Sequence, residues 1–236
     1  MTTIHTSSHS YYPVGVYLPN YAPNEWSTLA LVLTFAVVWV AVVCAARTFA
    51  TKVNPSISIT ELIKVCWFAQ CGAIHSLLEG YYALNFSSLQ GSQSILAQLW
   101  KEYSLSDSRY LTSHAFVMTM ESVTAWAWGP LSLLLVLLIV KDSPYRHPLQ
   151  LIISLGQLYG DVLYLGTAAF DYLVFGQEYS RPEGYYFFGY FVGLNGIWIV
   201  VPSLLIADSV RACARAFGEL KRVKRDKVKG DAKKLS

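Results

Sequence analysis

The sequence predicts an all-α integral membrane protein, a bundle of five transmembrane helices enclosing an intramembrane cavity. Three observations carry that expectation. Of the 236 residues, 54% are hydrophobic and only 14% charged, too apolar for an ordinary soluble globule. Five apolar stretches approach or exceed the roughly 20 residues needed to cross about 30 Å of hydrocarbon. The few ionisable groups inside those stretches fall at similar depths.

Residues 1–28 hold no Lys or Arg and no short apolar run before a small-residue cleavage site, so they read as an uncleaved polar segment. Residues 29–46 form the first span, without a charge. Val65 to Phe86 is the second, interrupted by His75 and Glu79. Ala115 to Val140 is the third, with Glu121 and Pro130 inside it. Leu149 to Phe170 is the fourth, with Asp161, and Tyr185 to Ala207 the fifth, with Asn195 and Pro202. Backbone groups in lipid must bond within their own segment, which makes each span a helix. Residues 62–207 carry the remaining four spans as one unit and 208–236 read as a basic tail, since 10 of the 18 Lys and Arg residues lie between Arg211 and Lys234.

Positive charge sets the orientation. Arg47, Lys52, Lys64, Lys141, Arg146 and the tail fall on one side and make 15, against three (Lys101, Arg109, Arg181) on the other. The tail is therefore expected in the cytosol and the N-terminus in the lumen. The ending Lys233-Lys234-Leu235-Ser236 looks like a dilysine retrieval signal of endoplasmic-reticulum membrane proteins. Asn85-Phe86-Ser87 fits a glycosylation sequon too close to a span end to be used. Cys44, Cys66, Cys71 and Cys213 are read as packing residues. Glycines at Gly156 and Gly160, and at Gly189 and Gly193, let the last two spans approach neighbours closely.

An ionisable side chain within a span is costly and ordinarily faces a bundle interior, a cavity or a partner. His75 and Glu79 are four apart and share one helix face, as do Glu121, Thr124 and Trp128 on the next span and Asn195 with Trp198 on the last. At 1.5 Å per residue, counted from one membrane face, these positions and Asp161 lie within roughly 10 Å of one another. A single polar pocket accounts for them. Structural hydrogen bonding is the plainer use of any one such group, and for Asp161, next to Tyr159 and Gly160, the two uses weigh equally. The 34 aromatic residues, with Trp126 and Trp128 beside Glu121 and Trp198 beyond Asn195, suit a flat hydrocarbon substrate that becomes cationic better than a proton channel. The sequence has no paired Glu-x-x-His segments, no repeated His boxes, no nucleotide-binding glycine fingerprint and no Gly-x-Ser-x-Gly elbow. No cofactor and no metal are expected, and nothing suggests nucleic acid.

At these residues the chain resembles the emopamil-binding-protein family, with its EXPERA domain, over about Leu62 to Leu205. The matching stretches include Cys66-Trp67-Phe68-Ala69, His75 with Glu79-Gly80, Gln98 to Tyr103, Asp107-Ser108-Arg109-Tyr110, Glu121 to Thr124, Trp128 to Leu133, Gly156 to Tyr164, and Asn195-Gly196-Ile197-Trp198. It departs at Tyr81-Tyr82 and Ala125-Trp126-Ala127.

The resemblance implies a five-helix protein with a sterol-sized cavity that moves a ring double bond from C8–C9 to C7–C8. It implies His75, Glu79, Glu121, Thr124 and Asn195 as catalytic residues. Trp198, Trp100, Tyr110, Trp128, Asp107 and Arg109 would bind substrate or order a lid over it. An acid would protonate the alkene to a tertiary cation at C8, and a base would remove a C7 proton. Glu121 is placed on the donor side and the His75–Glu79 pair on the acceptor side, with Thr124 and Asn195 relaying or orienting. Faces alone leave those two roles interchangeable. Expected partners are a Δ8-sterol, cationic amphiphilic drugs that mimic the cation, membrane lipids, and a second copy or other sterol-pathway enzymes. A binding protein without turnover, a carbocation enzyme acting on another terpenoid and a proton-coupled transporter are the alternatives.

Overall fold

Serine caps set where the helices begin. Ser27, Ser58 and Ser94 each adopt extended backbone, and each hydroxyl accepts from the amide three residues on, starting α1 (Thr28–Val53), α2 (Ile59–Ala73) and α4 (Ile95–Tyr103). The computed structural model of the chain describes residues 9–234, and side chains as far as Lys229. The side chains of the dilysine-like ending therefore lie outside what is described.

α2 runs without a break through a π-helical segment, Ile74–Glu79, into α3 (Gly80–Asn85). α5 (Ala115–Val123) passes through a second π segment, Thr124–Trp128, into α6 (Gly129–Val140). α7 (Arg146–Phe175) ends on Gly176 at φ 64°, a left-handed cap that glycine adopts without strain. A third π segment, Tyr185–Leu194, leads into α8 (Asn195–Lys234), which continues the last apolar stretch into the basic tail as one helix.

Four of these helical runs are long and apolar enough to cross a membrane: Thr28–Val53, Ala115–Val140, Arg146–Phe175 and Tyr185–Lys229. The molecule is a multi-pass, all-helical membrane protein. The expected second span is not among the four. It is continuous from Ile59 to Asn85, but Glu61, Lys64, Gln70, His75 and Glu79 lower its hydropathy. All of these but Glu61 are buried inside the protein, so this run is solvated by the bundle and needs less apolar surface of its own. α1 is its opposite, with Leu29, Val32, Leu33, Val37, Val38 and Val40 all exposed, as suits a helix facing acyl chains.

Buried residues form two apolar clusters stacked along the bundle. One, toward the end where the basic tail leaves, includes Val65, Phe68, Leu135, Ile139, Ile153 and Leu205. The other, toward the N-terminal end, includes Tyr82, Trp100, Tyr110, Val117 and Tyr164. Between them, on every long helix but α1, runs a layer of buried polar residues: His75 and Glu79, Glu121, Gln157 and Asp161, and Asn195.

Two glycines let helices close on this layer. A Cβ on Gly129 would lie 2.4 Å from Ser76 Oγ, and a Cβ on Gly156 would lie 2.3 Å from the Trp128 ring. At the tail end Lys64 bridges Asp208 (2.7 Å) and Glu61 (3.0 Å), and Arg146 joins Glu61 at 3.2 Å, tying α2, α7 and α8 together. At the N-terminal end residues 9–26 strap α4: Tyr11 donates to the Lys101 carbonyl, Lys101 Nζ to the Ala22 carbonyl, and the Gln98 side-chain carbonyl accepts from the amides of Glu25 and Trp26.

Candidate active site

The first half of the site is a pair one helical turn apart. His75 Nδ1 and Glu79 Oε2 are 2.7 Å apart, at the two ends of the first π segment. The other ring nitrogen, Nε2, lies 3.1 Å from Gln157 Nε2 on α7. The Trp198 indole stands 5.2 Å from the imidazole and 5.0 Å from Trp67, so one aromatic wall covers the pair.

Glu121 forms the second half. Its Oε1 accepts from the Tyr110 hydroxyl at 2.6 Å, and neither oxygen bonds directly to His75 or Glu79. The two π segments carrying these halves pack against each other. Tyr110 is held by stacking on Trp100, with ring centres 4.7 Å apart and planes at 27°, and by edge contacts to Tyr82 and Tyr103. Tyr103 in turn accepts from Asn195 Nδ2 at 3.3 Å. A chain of polar groups thus runs Glu121, Tyr110, Tyr103, Asn195, with the two tyrosine rings in contact at its centre.

Three of the expected site residues bond to backbone where helices pass through π turns. A π turn shifts the hydrogen-bond ladder by one residue and disturbs the ordinary pairing of carbonyls. The Trp100 indole donates to the Leu78 carbonyl (2.9 Å), the Thr124 hydroxyl to the Glu121 carbonyl (2.8 Å) and the Asn195 amide to the Phe191 carbonyl (2.6 Å). Trp128 lies against Gly156 where the second π segment meets α7.

Asp107 and Arg109 form a fully buried ion pair, with Arg109 Nη2 at 2.6 Å from Asp107 Oδ2. Arg109 also donates to Thr167 and the Tyr164 carbonyl, the Tyr164 hydroxyl donates to Asp107 at 2.5 Å, and the guanidinium covers the Tyr164 ring at 4.6 Å. The buried Asp107 carboxylate holds the Arg109 guanidinium above its already high ordinary pKa, against the opposing effect of burial. This network clamps the short helical turn Ser108–Tyr110 onto α7 and so sets where Tyr110 points.

Two residues to which sequence reasoning assigns no role, Gln157 and Tyr103, bond directly to site residues. The signal for Gln157 was available: Gln150, Ser154, Gln157, Asp161 and Tyr164 recur at three- and four-residue spacing in an otherwise apolar helix, and all are buried. Asp161 keeps one buried oxygen, Oδ2, without a hydrogen-bond partner. One cleft of about 380 Å³ lies between Asn54, Glu61, Asp142 and Arg146, and another of about 290 Å³ between His9, Tyr12, Arg181 and Glu183. They lie at opposite ends of the bundle and neither is the expected sterol-sized cavity.

Comparison with known proteins identifies the family. Residues 95–209 match the family model for the EXPERA, or expanded EBP, superfamily. The chain is 39% identical over 212 residues to the 3-beta-hydroxysteroid-Delta(8),Delta(7)-isomerase of Mus musculus, covering 89% of this chain and 91% of that protein. It is 39% identical over 219 residues to the Rattus norvegicus protein of the same name, covering 92% and 93%. Among plant relatives, protoglabretal synthase MOI1 of Citrus sinensis is 35% identical over 183 residues, covering 77% and 80%. With buried acids, an imidazole and indoles gathered at one level of a helical membrane bundle, and with relatives matching it nearly end to end, the chain belongs to the EXPERA family of emopamil-binding-protein-like membrane proteins.

Proposed function

We propose that this chain is a sterol Δ8-Δ7 isomerase that moves the ring double bond from C8–C9 to C7–C8 without a cofactor. The observation that carries the proposal is the buried layer itself: two carboxyl groups and an imidazole, on two helices whose π segments touch, faced by the indole of Trp198. The names of the mouse and rat relatives supply the substrate class.

In this reading Glu121, as a neutral acid, gives its proton to C9. The C8–C9 π electrons form the new C9–H bond and leave a cation at C8. The C7–H bond then breaks, its electrons form C7=C8, and the proton passes to the His75–Glu79 pair. Tyr110 donating to Oε1 keeps the acid proton of Glu121 on Oε2. Trp198 lowers the energy of the cation by about 2 kcal/mol in a desolvated site, and exclusion of water prevents its capture. Thr124 and Asn195 act as positioning residues through the backbone carbonyls they bond. Asp107, Arg109, Trp100 and Trp128 position the loop and helices that carry the site. Cationic amphiphilic amines bind by standing in for the C8 cation.

The wider reading is of a five-span protein in which Ile59 to Asn85 also crosses the membrane and residues 62–207 form the catalytic unit. The N-terminus faces the lumen of the endoplasmic reticulum and the tail the cytosol, on the 15-to-3 distribution of positive charge. Product analysis tests the function: a Δ8-sterol fed to cells lacking their own isomerase should be converted to its Δ7 isomer only when this chain is expressed. Glu121→Gln and His75→Ala should each abolish conversion while the protein still accumulates. A second reading, carbocation isomerisation of another terpenoid, is favoured by the named activity of the Citrus relative. An amine-binding chain that leaves Δ8-sterols untouched but converts a triterpenoid alkene would establish it.

A further inference from the structure

Both nitrogens of the His75 ring are already taken by protein. Nδ1 meets a Glu79 oxygen at 2.7 Å, and Nε2 meets the amide nitrogen of Gln157 at 3.1 Å. An amide nitrogen only donates, so Nε2 must present a lone pair, and the single ring proton sits on Nδ1, directed at Glu79. The arrangement describes a neutral imidazole. The Gln157 amide faces the buried Cys71 thiol as well, giving the NH2 group a second neighbour, whereas Gln157 Oε1 is buried without a partner. Turning the amide over would offer Oε1 to the ring but strand both N–H groups, the rarer and costlier deficit. No ring nitrogen is left to touch a substrate. The pair's remaining acceptor is Glu79 Oε1.

From this wiring we propose that Gln157 is a positioning residue that holds His75 neutral with its proton on Nδ1, so that the proton leaving C7 is taken by Glu79 Oε1 and does not pass to the imidazole. The proposal rests on the isomerase reading of the site and adds a residue to it. As the C7–H bond breaks, its electron pair closes C7=C8 and the proton becomes the acid proton of Glu79. His75 Nδ1–H stays donated to Glu79 Oε2, and Gln157 stays donated to Nε2. Passing the proton on to Nε2 would require the carboxamide to rotate by half a turn. Gln157 is thereby a latch between a carboxylate that reacts and an imidazole that only orients it.

The test uses the full chain, labelled with [15N]histidine, in lipid nanodiscs, with the His75 resonances assigned by their loss in His75→Gln. The wild type should show one protonated and one unprotonated nitrogen for His75. In Gln157→Glu a carboxylate replaces the donor, so both nitrogens should become protonated and kcat should fall by about tenfold or more with KM little changed. Gln157→Met, which keeps the side-chain volume, should shift the Nε2 resonance by removing its donor and lower kcat without loss of folded protein. Two protonated nitrogens in the wild type, or an unchanged His75 spectrum in Gln157→Glu, would overturn the inference. The isomerase reading fails separately: if His75→Gln turns over sterol normally, His75 has no part in the reaction even where the wiring to Gln157 is found.

Discussion

Removing one oxygen atom from Tyr110 tests how the acid half of the site is built. In Tyr110→Phe the ring keeps its stack on Trp100, 4.7 Å between centres, and its edge contacts with Tyr82 and Tyr103, so packing is preserved. What is lost is the 2.6 Å hydrogen bond to Glu121 Oε1. Leaving one member of a buried hydrogen-bonded pair unsatisfied costs about 1–3 kcal/mol. Under the proposed roles that cost falls on catalysis, because without Tyr110 the acid proton of Glu121 is no longer confined to the oxygen that delivers it. At 1.36 kcal/mol per factor of ten, kcat should fall roughly 5- to 150-fold. The assay is conversion of a Δ8-sterol in purified membranes, followed by mass spectrometry, beside thermal unfolding of the same preparation. A variant that turns over within about twofold of wild type would refute the reasoning. So would a fall in turnover matched by a lost unfolding transition, which would make Tyr110 a packing residue only.

Three further outcomes follow from other parts of the structure. Arg109→Met leaves the Asp107 carboxylate buried and unpaired, a change of about 3–5 kcal/mol, and should sharply lower the amount of folded protein seen by size-exclusion chromatography in detergent; full accumulation would show the ion pair to be dispensable. Gly156→Ala places a methyl 2.3 Å from the Trp128 ring, an overpacking cost of about 1–3 kcal/mol that should lower the melting temperature and be partly relieved in the double variant with Trp128→Phe. Burial raises the Glu102 carboxyl above its ordinary value, with the Thr28 hydroxyl pulling the other way. A raised acid favours the folded state below its unfolded pKa and loses that contribution as pH climbs through the folded one. Thermal stability should therefore decline from mildly acidic toward neutral pH, and Glu102→Gln should flatten that slope.

The helical bundle and its polar layer were legible in the sequence because lipid imposes a strict code: apolar length marks a span, and a charged side chain within one marks a reason to be there. His75 with Glu79, Glu121, Asn195 and Trp198 could be placed on faces and at a common depth from spacing alone. Their partners could not. Tyr110 reaches Glu121 and Gln157 reaches His75 across helices, and such pairs depend on rotamers and crossing geometry that periodicity does not specify. The number of spans was less legible, because the polar residues of Ile59 to Asn85 face protein and not lipid, and its hydropathy falls below that of the four runs long and apolar enough to cross a membrane. Thr124 and Asn195 were placed as relaying or orienting groups, but periodicity could not specify their partners, which are carbonyls at or beside the π turns and, for Asn195, the Tyr103 hydroxyl.

Those π turns set a condition on how the protein can change. Each inserts an extra residue into a turn, so the stretches on either side are out of angular step with an unbroken α-helix, by about 100° per residue. Deleting one residue between Ile74 and Glu79 would heal the ladder and strengthen the isolated helix, yet it would swing the whole of α3 away from Trp100. Efforts to stabilise the protein by regularising its helices would therefore disturb the buried polar layer first. Length variation among its relatives should be confined to loops and termini, leaving these three irregular stretches untouched.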